Sequence, residues 1–75
     1  MMAIAFVLLN AEMGFDRDVL KDMKDIPEVR EAFRIGGIYD IIIKVEADTR
    51  EDLNDLIKEI RQMEKVRSTL MMIII

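Results

Sequence analysis

The spacing of apolar residues changes several times along the chain and divides it into alternating strand-like and helix-like segments. Ala3–Glu12 is a nearly continuous aliphatic and β-branched run, which predicts a first strand. Apolar residues then recur at steps of three and four, which predicts an amphipathic helix with Asp16 as its N-cap. That helix ends at Ile26, because Pro27 moves the residue before it out of the α region.

The second half of the chain repeats the same order of elements. Glu28–Ile35 is a predicted strand in which Val29, Phe33 and Ile35 share one face. A turn at Gly36 and Gly37 leads into a third predicted strand. The remaining predicted elements are a strand over Tyr39–Ala47, a helix capped by Asp48 or Thr49 with Glu51 completing a capping box, and a last strand over Lys65–Ile75.

The order β-α-β-β-α-β predicts one α+β domain over residues 1–75. Two βαβ halves joined by a central hairpin favour the ferredoxin-like arrangement, a four-stranded antiparallel sheet with two helices on one face.

The first and last strands are apolar on both faces, which a sheet with one solvated face does not require. One side of the first strand carries Ala5, Val7, Leu9 and Ala11 and the other carries Ile4, Phe6 and Leu8; in the last strand Val66, Leu70, Met72 and Ile74 oppose Met71, Ile73 and Ile75. Two helices cover only one face, so the second face predicts association with an identical chain. The alternative is simple fraying of the chain end against a helix.

Composition excludes several classes of function. The chain has 75 residues, no cysteine and no histidine, so disulfides and the usual transition-metal ligands are absent and no nucleophile has a recognisable base. We therefore expect no enzyme activity, no cofactor and no metal. A net charge of −4 argues against direct nucleic-acid binding, and no apolar run is long enough to span a membrane. These features predict a soluble cytoplasmic protein.

The central hairpin is where backbone freedom meets convergent polar groups. Backbone N–H groups around Gly36, Gly37 and Ile38 can approach a ligand closely, while Tyr39 adds a phenol and Asp40 a carboxylate. A small zwitterion would match this set, its carboxylate on the backbone donors and its ammonium on Asp40. The structural alternatives are turn glycines, a tyrosine packed at a strand edge and an aspartate that closes the turn.

Four segments resemble the C-terminal effector-binding domain of Lrp/AsnC-type transcription regulators. They are AFVLLNAE at 5–12, IPEVREAFRIGGIYDIIIKVEA at 26–47, DTREDLNDLI at 48–57 and VRSTLMMIII at 66–75. The most specific match is Gly37, Ile38, Tyr39 and Asp40, where the family tends to have Gly, any residue, Tyr and Asp.

The resemblance implies the same βαββαβ fold, homodimers formed through the sheets, and rings of dimers, with an octamer or decamer expected. It also implies a free amino acid bound between dimers against the hairpin. Ser68 and Thr69 match a polar position near the pocket in relatives, although strand-edge pairing explains them equally well. Gly36 departs from the side chain that many members carry, which leaves the effector's identity open.

The chain begins at its first strand, without the family's helix-turn-helix domain, so the resemblance is to a stand-alone effector domain that does not bind DNA itself. The leading hypothesis is an oligomeric amino-acid-sensing module that modulates transcription by self-assembly or by co-assembly with full-length regulators. Two alternatives share the fold: an ACT-like regulatory subunit of an amino-acid metabolic enzyme, and a small dimeric monooxygenase.

Overall fold

The computed structural model describes residues 2–75 and confirms the predicted order of elements and the ferredoxin-like fold. The strands pair antiparallel in the order β2-β3-β1-β4, so β1 and β3 are central and β2 and β4 are edges. The elements are β1 (Ala3–Ala11), α1 (Asp16–Lys24), β2 (Val29–Arg34), β3 (Ile41–Ala47), α2 (Arg50–Arg61) and β4 (Val66–Ile73).

Both helices pack on one face of the sheet and bury its apolar side chains, which we call the covered face. In β1 and β3, alternate residues point into this core, as the two-residue period of a strand requires. The helices add the stripes predicted from their three- and four-residue spacing. The buried core consists of Ala5, Val7, Leu9, Val19, Met23, Ile41, Ile43, Val45, Ala47, Leu53, Leu56, Ile57, Ile60 and Val66.

The helix starts differ in part from the prediction. Phe15 is the N-cap of α1 and makes no side-chain capping bond, whereas Asp16 is the first helical residue. The Asp16 carboxylate lies 3.0 Å from Nε of Arg34 on β2, so tertiary pairing replaces the expected cap. At α2, Thr49 is the cap: its hydroxyl accepts a hydrogen bond from the Asp52 N–H at 3.0 Å, and the cap therefore does not involve Asp48.

An irregularity in β2 reverses the predicted orientation of its side chains. The register with β3 shifts between Val29 and Glu31, so one extra residue enters the β2 strand. As a result Ala32, not Phe33, follows Val29 onto the covered face, and Phe33 lies on the opposite face with 57% of its surface exposed. The prediction that Val29 and Phe33 share a face is wrong.

A second bulge shifts the start of β4. The register with β1 shifts at Asn10 and Ala11, so that Val66 pairs with Ala11 while Ser68 pairs with Asn10. Val66 is consequently buried on the covered face, whereas the sequence grouped it with Leu70, Met72 and Ile74. The rest of the predicted alternation in β4 holds, because no further shift occurs between Ser68 and Ile73.

The second face of the sheet, the open face, has no helix over it and carries a band of apolar side chains. Leu70, Met72 and Ile74 are 44%, 45% and 54% exposed there, next to the half-buried side chains of β1. The apolar members of the open face are Ile4, Phe6 and Leu8 from β1, Phe33 from β2, Ile42 from β3, and Leu70, Met72 and Ile74 from the β4 end of the chain.

Candidate functional site

The connection between β2 and β3 is a six-residue loop, Ile35–Asp40, and not a two-residue hairpin turn. The β2 strand ends at Arg34 and β3 begins at Ile41, two residues later than predicted. The loop is closed by a hydrogen bond of 2.8 Å from the Ile35 N–H to the Asp40 carbonyl. The enclosed residues therefore protrude beyond the end of the sheet, where a ligand or another chain can reach them.

The two glycines of the loop have different backbone conformations. Gly37 has φ +118°, which a residue with a side chain rarely adopts, whereas Gly36 has no positive φ. No atom lies within 4 Å of a Cβ built on either residue. Only Gly37 is therefore required by the backbone, and both positions leave open space next to their amide groups.

Asp40 ties the loop to the end of the central strand β1. Its Oδ2 accepts a hydrogen bond of 2.9 Å from the Ala11 N–H, and its own N–H donates to the Leu9 carbonyl at 2.9 Å. Within residues 2–75 the bond from the Ala11 N–H is the only hydrogen bond that the Asp40 carboxylate makes. The side chain therefore has a structural role, and its second oxygen remains an acceptor for a bound cation.

Ile38 and Tyr39 form the outer part of the loop. Ile38 is 87% exposed, an unusual position for a large aliphatic side chain, and Tyr39 is half-buried. An apolar side chain at the tip of a loop contributes hydrophobic stabilisation only when another surface covers it.

Ser68 lies at the same end of the sheet as the loop. It pairs with Asn10 across β1 and β4, and Nδ2 of Asn10 donates a hydrogen bond to its hydroxyl at 3.1 Å. Because β1 separates β3 from β4, Asp40 and Ser68 are about 10 Å apart, two strand spacings. Asn10 lies between them and was not among the predicted site residues, although it is the only polar residue within β1.

Thr69 does not join this group. It pairs with the buried Leu9 and so lies on the covered face, opposite to Ser68. Nε of Arg61, at the end of α2, donates a hydrogen bond to its hydroxyl at 2.6 Å. Adjacent residues of a strand point to opposite faces, so Ser68 and Thr69 cannot both face one pocket of a single chain.

A charged cluster borders the site at the ends of β1 and β4. The Glu12 carboxylate accepts hydrogen bonds from Lys65 Nζ at 3.0 Å and from an Arg67 guanidinium N–H at 2.6 Å. The Lys65 ammonium also lies 4.2 Å from the centre of the Phe15 ring, a cation–π contact. The hydrogen bond and charge of Lys65, assisted by Arg67, hold the pKa of Glu12 below its ordinary value of 4.5.

The structure thus gathers most of the predicted site at one end of the sheet. Gly36, Gly37, Ile38, Tyr39 and Asp40 are continuous in the loop, and Ser68 lies two strands away with Asn10 between. The loop presents backbone donors, one carboxylate and one phenol. Such groups can bind a small polar molecule by hydrogen bonds and ion pairing.

Residues 2–75 contain neither a candidate metal site nor a candidate membrane-spanning helix. In this part of the chain, no three or more acidic side chains lie close enough together to hold a metal ion. Neither helix has the length and apolarity needed to cross a membrane.

Known proteins resemble this chain over nearly its whole length. Residues 4–75 match the model of the Lrp/AsnC ligand binding domain. The crystal structure of FFRP-DM1 superposes with a TM-score of 0.95 at 42% sequence identity, covering 97% of this chain and 99% of that chain.

Two curated relatives are longer proteins. The HTH-type transcriptional regulator FL11 of Pyrococcus furiosus is 28% identical over 72 residues, which are 96% of this chain and 48% of FL11. Homocitrate synthase of Sulfurisphaera tokodaii is 44% identical over 52 residues, which are 69% of this chain and 11% of the synthase. This chain therefore spans at most about half the length of these relatives.

Proposed function

Since this chain belongs to the Lrp/AsnC ligand-binding domain family, we propose that it is an amino-acid-sensing module that responds to its effector by changing its assembly. Relatives of this family include transcriptional regulators, which connects the domain to transcription. Among its own residues, the proposal depends most on one observation: residues 35–38 of the loop are exposed, and the half-buried Asp40 beside them carries a carboxylate with a remaining acceptor oxygen.

The proposed effector is a free amino acid. Its ammonium group pairs with Asp40, and its carboxylate accepts hydrogen bonds from N–H groups around Gly37 and Ile38, where open space surrounds the backbone. Tyr39 offers its ring face and hydroxyl to the side chain of the effector. Ser68 provides a hydroxyl at the same end of the sheet. Thr69 lies on the covered face and does not contact this effector; its role is in the pocket of a neighbouring chain or in packing.

Assembly converts this shallow site into an enclosed one. The apolar open face needs a partner of the same kind, and an identical chain supplies a self-complementary surface with two-fold symmetry. A second pair of subunits packed against the loop end of the sheet would cover the exposed Ile38. An effector that binds one assembly state more tightly than another shifts the population toward that state.

In the cell, such a module acts either alone or together with full-length regulators. The matching sheet faces of this chain and of a regulator of the same family allow mixed assemblies. In a mixed assembly the DNA contacts come from the regulator.

The carboxylate of Asp40 gives the most direct test of effector binding. Asp40→Asn keeps an oxygen that accepts from the Ala11 N–H but removes the negative charge. Titration calorimetry with the twenty amino acids should identify an effector for the wild type. We expect Asp40→Asn to bind it about 10- to 100-fold more weakly, because an ionic hydrogen bond contributes about 1.5–3 kcal/mol.

Asp55→Asn is the matched control, since it removes the same charge from an exposed position on α2. It should bind the effector as the wild type does. If no amino acid gives heat or changes the sedimentation of the protein, the sensing role is wrong. Equal affinities of the wild type and Asp40→Asn would remove Asp40 from the site while leaving the effector in place.

A regulatory subunit of a metabolic enzyme is a second candidate, favoured by the match to part of homocitrate synthase. In that role the module would bind an enzyme of amino-acid metabolism and respond to an amino acid. Capture of partners from the source cell separates the two roles: a metabolic enzyme supports the second candidate, and a DNA-binding relative supports the first. A monooxygenase receives no support from the regulatory type of the relatives.

A further inference from the structure

An open cleft lies between the end of α2 and the start of β4. Its volume is about 420 Å³, within the range of about 300–1,000 Å³ that is usual for small-molecule sites. In the part of the chain that the structure describes, its lining consists of Arg61, Val66, Arg67, Ser68 and Thr69, none of which is acidic. A chain with fifteen acidic and eleven basic residues thus sets two arginines and no carboxylate around this cleft.

The Arg61 side chain is held in position by Thr69. Its Nε donates a hydrogen bond to the Thr69 hydroxyl at 2.6 Å, and this bond restrains the rotation of the guanidinium. The bond uses only one of the five N–H groups that a guanidinium carries. None of the ion pairs among residues 2–75 involves Arg61. The terminal nitrogens of Arg61 therefore form a positioned, charged fork that can bind an anion.

Arg67 contributes a second cation from β4. One terminal nitrogen, Nη2, donates to the Glu12 carboxylate at 2.6 Å, and Lys65 donates to the same carboxylate at 3.0 Å. Because two cations share Glu12, that carboxylate compensates only part of the Arg67 charge. The Arg67 side chain is 64% exposed, so its other N–H groups can reach a ligand in the cleft.

The edge strand β4 adds a backbone donor. The Ile74 N–H donates to the Ile4 carbonyl at 2.9 Å, so the even-numbered residues of this strand bond to β1. In an antiparallel ladder the alternate residues direct their backbone groups to the other side. The N–H of Thr69 therefore points away from β1, on the outer side of the strand that borders the cleft.

We propose that this cleft binds a phosphate group, either free inorganic phosphate or the phosphate of a small metabolite. A phosphate dianion suits two arginines whose charge is only partly compensated, and guanidinium groups bind phosphate through two parallel hydrogen bonds. Its tetrahedral oxygens accept hydrogen bonds from several directions, here from Arg61, Arg67 and the N–H of Thr69. A planar carboxylate has only two oxygens and would leave some of these donors without a partner.

The phosphate site is separate from the effector site of the proposed function. The 35–40 loop and the cleft lie on opposite sides of β1, and only Ser68 borders both sites. Binding of phosphate therefore requires no amino-acid effector. The two sites can be tested independently, since Asp40 belongs only to the first and Arg61 only to the second.

Nuclear magnetic resonance of the ¹⁵N-labelled protein, with inorganic phosphate added at constant ionic strength, tests the site. We expect the amides of Arg67 and Thr69 and the Nε–H of Arg61 to shift and to saturate. Arg61→Gln should weaken phosphate binding about tenfold, because it removes a charged donor. Arg17→Gln removes the same charge from an exposed position on α1 and should bind phosphate as the wild type does.

Two further probes identify the ligand. Glycerol 3-phosphate that binds more tightly than inorganic phosphate assigns the site to a phosphorylated metabolite, whereas equal or weaker binding assigns it to free phosphate. Acetate should bind about tenfold more weakly than phosphate or not at all. Acetate binding as tight as that of phosphate would overturn the proposal. Shifts that do not saturate, or equal losses in Arg61→Gln and Arg17→Gln, would overturn it as well.

Discussion

Gly37 is the residue of the 35–40 loop whose backbone a side chain would strain. Its φ of +118° lies outside the regions that L-residues normally occupy, while the space around it is empty. The requirement for glycine at this position therefore comes from the backbone alone and not from crowding. The neighbouring Gly36 has the same open surroundings without the positive φ, so the two glycines form a natural pair for comparison.

We predict that Gly37→Ala lowers the free energy of unfolding by about 1–3 kcal/mol, the usual cost of a residue held in a sparsely populated backbone region. Gly36→Ala should change it by less than about 0.5 kcal/mol, since alanine adopts that backbone without strain. Urea unfolding of both variants at one protein concentration measures the difference. Equal effects of the two substitutions would contradict a specific role for the φ of Gly37.

Asp40 has the structural role that the sequence left open, beside the role in effector binding that we propose for it. The residue does close a local structure, as its structural alternative suggested, but its partner is the Ala11 N–H on another strand. Sequence spacing gives no information about a bond between residues 29 positions apart. The carboxylate was therefore identifiable from the Gly-x-Tyr-Asp pattern, whereas its anchoring contact required the folded chain.

At the scale of elements, the faces assigned to side chains were partly wrong in the edge strands and correct in the central strands. The β1 and β3 strands have neighbours on both sides and follow strict alternation. The β2 and β4 strands each contain a bulge, which adds one residue and reverses the faces that simple counting assigns. Phe33 and Val66 were assigned to the wrong face for this reason.

Glu12 links two elements, because it joins the end of β1 to Lys65 and Arg67 at the start of β4. These cations lower the pKa of Glu12 in the folded protein relative to the unfolded chain. The stabilisation is therefore fully present when the pH is above the pKa of Glu12 in the unfolded chain. It is lost as the pH falls through the lower pKa of Glu12 in the folded protein. We predict that Glu12→Gln lowers Tm at pH 7 and that the difference from wild type disappears in acid.

Thermal unfolding between pH 7 and pH 3 measures this dependence. Glu64→Gln is the control, since Glu64 is 89% exposed and lies 3.9 Å from the same lysine. An exposed pair at that distance contributes little, so its Tm should follow the wild type at every pH. A Tm difference for Glu12→Gln that did not change with pH would show that packing, and not charge, stabilises this link.

At the scale of the whole molecule, the main feature is a sheet with one face covered by helices and another face that is apolar and open. A chain of 75 residues has a small core, and burying the open face against a second copy adds to it. The proposed association of identical chains depends on this open face. In the proposed function, an effector acts by favouring one assembly state over another.

We predict that Met72→Glu reduces the assembly of the protein. Met72 is 45% exposed on the open face, and a carboxylate there would be costly to bury between two chains. Asn54→Glu places the same charge on the exposed surface of α2 and should leave assembly unchanged. Light scattering at micromolar concentration compares them. A wild type that is itself monomeric there would contradict association through the open face.

The sequence by itself determined the element order, the fold class, the two apolar faces of the sheet and the family, because these depend on local periodicity and on short contiguous motifs. Only the tertiary structure decided the faces of Phe33 and Val66, the partners of Asp16 and Asp40, and the separation of Ser68 from Thr69. Each of these depends on strand register, which is set by pairing between residues distant along the chain.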